Sequence, residues 1–552
     1  MCGNFPFFVQ PLIFQYYSMK VGLFMAVKKK TKKEGMPLWL CNTIIIALAA
    51  LLVLGCTFQI LNTTGVIASI RLHSQKAMES EHYTMTGADL TYFTYLEYNN
   101  VVSYYTQMYG SAQYLAYFGI DTSLPLSQQS YSADATWRDY CAGAAEDTVR
   151  QYLVLCEAAI KAGVALDDED LDSIEQAMQS LRDNAKTYSM SANSFVASNF
   201  GKGVKLKDLQ KCYELATLAD KYYKIIYDGF EYSKEDLQSY YDEHKQDFDV
   251  ADYRSYTFKA EYEKNASEEE IADAVEKAKA EAEKFLEALK DGADFVDLVY
   301  EIKAAAEAEA KTDEPATTAP AATPETPATE APETTAEPDT KDDTVTREDV
   351  EKSTLTKSAS YAKGDLGDWL FAEEPAAEGE IKMIDGDESF TVYQVVTSAH
   401  RNDYNTVDVE HVYFYTNKEG VKQEDLKEAA EHFLAEFKKG KMTAEALEEL
   451  TKKEAFSDYA VYNGKLEKLG KVGDDVTDGW LFDDARKEND IEVLDSEING
   501  VNLFLYLGQN DVQWEIQVDS AKRGEDYKAA YEELEKEYAV TVNEKVMKKV
   551  GA

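Results

Sequence analysis

The stretch Gly364-Asp365-Leu366-Gly367-Asp368-Trp369-Leu370-Phe371 decides how half of this chain is read, because its ending returns downstream as Thr477-Asp478-Gly479-Trp480-Leu481-Phe482. Each copy is followed by an apolar, strand-like run, Phe390-Thr391-Val392-Tyr393-Gln394-Val395-Val396 in the first and Val501-Asn502-Leu503-Phe504-Leu505-Tyr506-Leu507-Gly508 in the second. Working upstream, a charged helix precedes each turn. The first ends Phe285-Leu286-Glu287-Ala288-Leu289-Lys290-Asp291-Gly292, and the second ends Phe433-Leu434-Ala435-Glu436-Phe437-Lys438-Lys439-Gly440. Further upstream stand Tyr253-Arg254-Ser255-Tyr256-Thr257-Phe258 and Val409-Glu410-His411-Val412-Tyr413-Phe414-Tyr415-Thr416, runs of β-branched and aromatic residues with strand character. Shared elements in a shared order mark an internal duplication. Each copy, over 247–400 and 405–525, is predicted to be strand, helices, turn and strand, a small α+β unit.

Before the repeat, residues 76–245 carry a helical period. The stripe Val149, Tyr152, Leu153, Cys156, Ala159 and Ile160 lies on one face of a helix that Gly163 stops, and Asp167 or Asp168 caps the next. Further helices are expected at about 207–228 and 233–245, and a last helix over 526–552. Aromatic residues crowd the stretch from Tyr83 to Phe118. Most are expected to pack the core of a helical bundle. The alternative is a set of exposed rings, flat apolar faces with polar tips, suited to gripping varied polypeptide.

Between the Gly292-Ala293-Asp294-Phe295 element and the Gly364 turn lies an acidic insert, 304–344, without aromatic residues and with six of the chain's eleven prolines. Such a composition buries too little to offset its ordering entropy and is expected to be disordered. Lengthening a loop costs little, so the first unit is expected to fold around it.

At the other end, residues 1–36 carry the basic cluster Lys28-Lys29-Lys30-Thr31-Lys32-Lys33, and Pro37 to Leu61 carry no charge. About 25 apolar residues suffice to cross a ~30 Å hydrocarbon core, and a basic N-terminal flank stays in the cytoplasm. The expectation is a single transmembrane helix over 37–61 with the body extracytoplasmic; a lipoprotein anchored at Cys56 is the alternative. Met25 offers a second, shorter start.

The chain has 552 residues, too many for one core, and a net charge of −45. That charge keeps a protein soluble and repels phosphates, which argues against nucleic acid as a partner. Three of six cysteines, Cys2, Cys41 and Cys56, lie in or before the apolar run. The remaining Cys141, Cys156 and Cys212 have no CxxC spacing, so neither a disulfide scaffold nor a zinc site is expected, and buried free thiols are. A Cys141–Cys156 bridge is the alternative. Walker loops, nucleophile elbows, HExxH and EF-hand patterns are absent from the sequence, so no cofactor and no metal is expected.

The first-strand runs, the Gly292-Ala293-Asp294-Phe295 element and the Gly364-to-Trp369 turn resemble the parvulin family of peptidyl-prolyl isomerases. The preceding helices, including Tyr240-Tyr241-Asp242-Glu243-His244, resemble the N-terminal domains of PrsA- and SurA-like extracytoplasmic foldases. The resemblance implies an α+β multidomain protein with an anchor, an all-helical chaperone-like domain and two parvulin-like units. It implies a membrane-anchored folding factor that binds unfolded or newly translocated polypeptides. An active isomerase and a non-catalytic envelope scaffold are the alternatives. Parvulin sites use histidines on the first and last strands. Here Ser255 stands at the first-strand position of the first unit, whose last strand has Thr391, Tyr393 and Gln394, with His400 beyond it. His411 fits that position in the second unit without a last-strand partner, so the site looks degraded. The resemblance makes His411 the catalytic candidate and Trp369, Phe371, Trp480 and Phe482 the substrate-binding ones.

Overall fold

The computed structural model describes residues 66–109, 111–312, 345–416, 418 and 420–551. The chain divides into two compact units, Met1–Ile225 with Glu532–Ala552, and Ile226–Tyr531.

The first unit begins with α1 (Val66–His73), β1 (Lys76–Glu79) and β2 (Thr84–Thr86), then α2 (Gly87–Met108), α3 (Trp137–Ala162), α4 (Asp168–Thr187), α5 (Ala192–Phe200) and α6 (Leu206–Asp228). Local chemistry sets these ends. Thr86, Thr136 and Asp167 cap α2, α3 and α4, each answered three residues on by an aspartate, Asp89, Asp139 and Asp170, so that the free N–H groups of the first turn are satisfied. Helix α3 stops at Gly163, whose φ of 74° is left-handed. Its stripe Val149, Leu153, Cys156 and Ala159 is buried, while Ile160 at the rim is exposed. Cys141, Cys156 and Cys212 are free and buried.

This region is not wholly helical. A three-stranded sheet joins β1 and β2 to Thr541–Val542 near the C-terminus, which pairs antiparallel with Met78 and Glu79. Strands this short show no period in sequence, and the partners lie at opposite ends of the chain.

The second unit opens with α7 (Lys234–Glu243) and α8 (Lys245–Phe248). The first α+β module follows: β3 (Val250–Lys259), α9 (Glu268–Lys290), α10 (Phe295–Thr312), α11 (Arg347–Thr354), β4 (Leu355–Ser360), α12 (Asp365–Leu370), β5 (Ile381–Asp385) and β6 (Ser389–His400). The second module is β7 (Asn405–Phe414), α13 (Gln423–Phe437), α14 (Ala444–Thr451), β8 (Ala460–Leu469), α15 (Asp475–Leu481), β9 (Ile491–Ser496) and β10 (Gly500–Val512). Helix α16 (Gln513–Glu537) comes next, and after Thr541–Val542 a short α17 (Glu544–Met547).

The two sheets have the same antiparallel order, β4-β3-β6-β5 and β8-β7-β10-β9. Ser255 faces Tyr393 across the first as His411 faces Phe504 across the second. One face of each sheet carries the long helices, through Phe258, Phe285, Phe295 and Val392 in the first and Val412, Phe414, Phe433 and Leu503 in the second. The turn motif forms the short helix α12 or α15 and packs against the other face. Gly364 before α12 has a φ of 144°, which needs glycine, and a Cβ on Gly367 would lie 1.9 Å from the Ala362 carbonyl oxygen.

The fold is thus mixed helix and sheet in several domains, and one expectation is corrected. Among the described residues no helix is long and apolar enough to cross a membrane. The long helices α3, α9 and α16 bear charges along their length, because each covers a core on one face and meets water on the other. A transmembrane helix is therefore no part of the described fold, and the expected single-pass anchor finds no helix there to carry it. The segment 37–61, the basic residues before it and Cys56 lie outside the described residues. Helix α10 runs through Thr312 into the expected insert; residues 313–344 are likewise outside.

Candidate functional site

The sheet face away from the long helices brings His411 together with groups that sequence reading did not single out. Strand β7 holds its imidazole over Phe504 of β10, ring centroids 4.7 Å apart and planes 12° from parallel. Asn502 Oδ1 lies 2.9 Å from Nε2, and Asn463 Nδ2 lies 3.1 Å from Nδ1. The Asn502 amide nitrogen donates to the carbonyls of Asn499 and Gly500, which turns its oxygen toward the ring. His411 Nε2–H therefore donates to Asn502, and Nδ1 accepts from Asn463, which fixes one neutral tautomer. Burial lowers the imidazole's pKa, and the Asn502 hydrogen bond offsets this only in part. The result is a neutral, oriented ring able to exchange hydrogen bonds but not a mobile proton donor.

Trp480 and Phe482 belong to the apolar cluster that contains Phe504. Both are half-buried. Arg486 lies 4.0 Å above Trp480, and Tyr404 meets Phe482 edge-on at 5.4 Å. In the first module Phe371 is buried and Trp369 half-buried in one cluster, Trp369 Nε1 donating to Glu380 across 3.3 Å. Ser255 stands where His411 stands, with Tyr393 and Thr391 in the places of Phe504 and Asn502. His400 pairs with Val250 at the far end of β3, away from Ser255.

The first unit holds a second candidate. The aromatic stretch divides in two, a buried part early in α2 and an exposed part at its end and beyond it. Tyr92, Phe93 and Tyr98 are buried, whereas Tyr104, Tyr109, Tyr114 and Tyr117 are exposed, Tyr117 by 83%. A groove of 330 Å³ is lined by Asn100, Val101, Tyr104, Tyr105, Tyr131, Trp137 and Tyr140. Its walls are stiffened by ring contacts: Tyr105 stacks on Phe118 at 4.1 Å and Tyr131 on Tyr140 at 4.6 Å. Trp137 Nε1 donates to the Phe118 carbonyl, and Tyr98 donates to Gln129, so the buried polar tips are satisfied. Tyr131, Trp137 and Tyr140 escaped the sequence reading because they lie beyond the dense stretch; the spacing of Trp137 and Tyr140 on one helix face was the available signal.

One group with metal-ligand chemistry comes together among the described residues: Glu81, His82 and Glu157, ligand atoms within 4.8 Å of one another. Glu157 already accepts from the His82 backbone N–H at 2.7 Å and pairs with His82 Nδ1 at 2.5 Å. The hydrogen bond to Glu157 raises the His82 pKa. These contacts tie the β1–β2 turn to α3 without an ion.

No protein-family model matches the chain, and no curated protein matches it. Among solved structures, the crystal structure of foldase protein PrsA from Streptococcus pneumoniae str. Canada MDR_19A is similar to it at 13% sequence identity and a TM-score of 0.16, over 58% of this chain and 88% of that one.

Proposed function

We propose that the chain is a folding factor that binds unfolded polypeptides. The observation that carries this is the exposed aromatic groove of the first unit. Soluble proteins seldom leave so many large rings in water unless the surface is used. Tyrosine and tryptophan offer broad contact at little entropic cost, because each has only two side-chain torsions to fix. Transient binding of this kind keeps unfolded segments from meeting one another and needs no nucleotide.

The two α+β modules are read as parvulin-like. A prolyl isomerase gains rate by favouring a twisted amide in a shaped, partly dry pocket, not by moving a proton. Loss of the imidazole at Ser255 therefore weighs less than it would in a hydrolase. A working isomerase in the second module is the second reading, favoured by His411 and its two asparagine partners.

The test is aggregation of a chemically unfolded protein diluted into buffer with and without the purified chain. Suppression is expected. The pair Tyr131→Ser and Tyr140→Ser should raise the concentration needed by at least about fivefold, as loss of ring contacts at a binding centre does. No suppression by the folded protein refutes the proposal. Isomerisation of a short X-Pro peptide, compared with His411→Ala, decides the second reading: acceleration lost in the variant supports it, and no acceleration by the parent removes it.

A further inference from the structure

Some rings at the surface carry one of the chain's own cations and others do not. Arg486 lies 4.0 Å from the half-buried Trp480 ring and Lys471 4.8 Å from Tyr404 in the second unit, and Lys161 lies 5.7 Å from Tyr538 in the first. In the first, no lysine or arginine among the described residues lies over Tyr104, Tyr109, Tyr114, Tyr117, Tyr131 or Tyr140.

The cause is in the sequence. Between Lys76 and Arg138 there is no lysine or arginine, while Glu79, Glu81, Asp89, Glu97, Asp121 and Asp134 all fall there. Arg138 is itself buried and engaged with the carbonyls of Met547 and Val550. Some of the acids are answered: Lys76 pairs with Glu79 and Lys211 with Asp89. Glu97 is not. It is half-buried, with no ion pair or hydrogen bond among the described residues. It lies one turn before Val101 on the same face of α2. Burial raises its carboxyl pKa, the sign of a charge lacking compensation.

We propose that this groove selects basic, extended polypeptide segments, with lysine or arginine side chains laid over Tyr104, Tyr131 and Tyr140 and drawn toward Glu97. The inference rests on the polypeptide-binding function proposed above and names its class of client. An uncovered ring face attracts a cation through its quadrupole, and the net charge of −45 draws such segments in at long range.

The experiment titrates the full-length protein into labelled peptides of one length and aromatic content, with lysine at every third position or glutamine there instead. At low salt the lysine peptide is expected to bind at least about tenfold tighter, and added salt should narrow that ratio. Tyr131→Leu with Tyr140→Leu keeps apolar bulk but removes the ring faces, and should cut the ratio at least about threefold. Glu97→Gln, which leaves the rings untouched, should cut it about twofold or more. Equal affinity for the two peptides, or a ratio unchanged in both variants, overturns the inference and leaves polypeptide binding standing. Failure of every peptide to bind, together with no protection of an unfolded protein, removes both. Sedimentation of the parent and the leucine pair completes the experiment: self-association abolished by the leucine pair means that a second copy covers the groove, and the inference falls.

Discussion

His411 meets opposing demands: its sheet position half-buries it, and its ring nitrogens must still be paired. Because burial lowers its pKa in the folded chain, the unfolded chain takes up a proton first as pH falls through about 6.5, the ordinary histidine value. The second module should therefore be fully stable above that pH and lose stability below it, down to the folded-state value. Chemical-denaturation midpoints at pH 7.5 and 5.5 should fall further in the parent than in His411→Gln. Equal falls would refute the assignment. The buried thiols make a second residue-scale prediction. Burial pushes Cys141 and Cys156 up to about 12, so little thiolate forms at neutral pH. A thiol reagent should modify Cys141, Cys156 and Cys212 slowly in the folded protein and at once in the denatured protein; fast labelling of these three in the fold would contradict this. The place of His411 on a strand was legible in the sequence, while its standing as a candidate came from the parvulin resemblance alone. Asn502 and Asn463 were not legible, because only the register of β10 and β8 against β7 brings them to the ring.

Among the elements, the two turn motifs look alike in sequence and differ in physics. Aligned on Trp-Leu-Phe, Gly367 corresponds to Asp478, not to Gly479. Gly367 leaves no room for a Cβ beside the Ala362 carbonyl, whereas Asp478 uses its carboxylate to accept from the backbone of Val472 and Gly473. Gly479 sits in α15 with open space around it. Gly367→Ala should cost about 1–3 kcal/mol, as overpacking does, while Gly479→Ala should be neutral or gain up to about 1 kcal/mol of helix propensity. Thermal unfolding of the two variants checks this, and similar effects from both would refute it. The caps of α3 and α4 were readable because capping is local: Gly163 and Asp167 act within one turn. Strands of two to four residues were not, since β1, β2 and Thr541–Val542 are shorter than a period needs.

At the scale of the molecule, the first unit is closed by the last residues of the chain. Val546, Met547 and Val550 are buried, and Arg138 of α3 donates to the carbonyl of Val550 across 2.8 Å and to that of Met547. Residues so distant in sequence give no local sign of this. Removing 538–552 should strip those contacts, at about 1.5–3 kcal/mol for each buried apolar side chain. The truncated protein should lose the first unit's melting transition, or show it at a much lower temperature. A transition left in place would refute the closure.

The sequence by itself determined the duplicated α+β modules, the helical period before them and the acidic balance, because periodicity, caps, charge and repeated motifs are properties of neighbouring residues. It also placed aromatic rings densely along one stretch. Only the tertiary structure decided which of those rings face water, that Trp480 and Trp369 are covered by the chain's own cations, and that His411 is held between two asparagines. The physical reason is common to all three. Burial and pairing depend on which distant segments pack together, and a side chain's chemistry follows from that company.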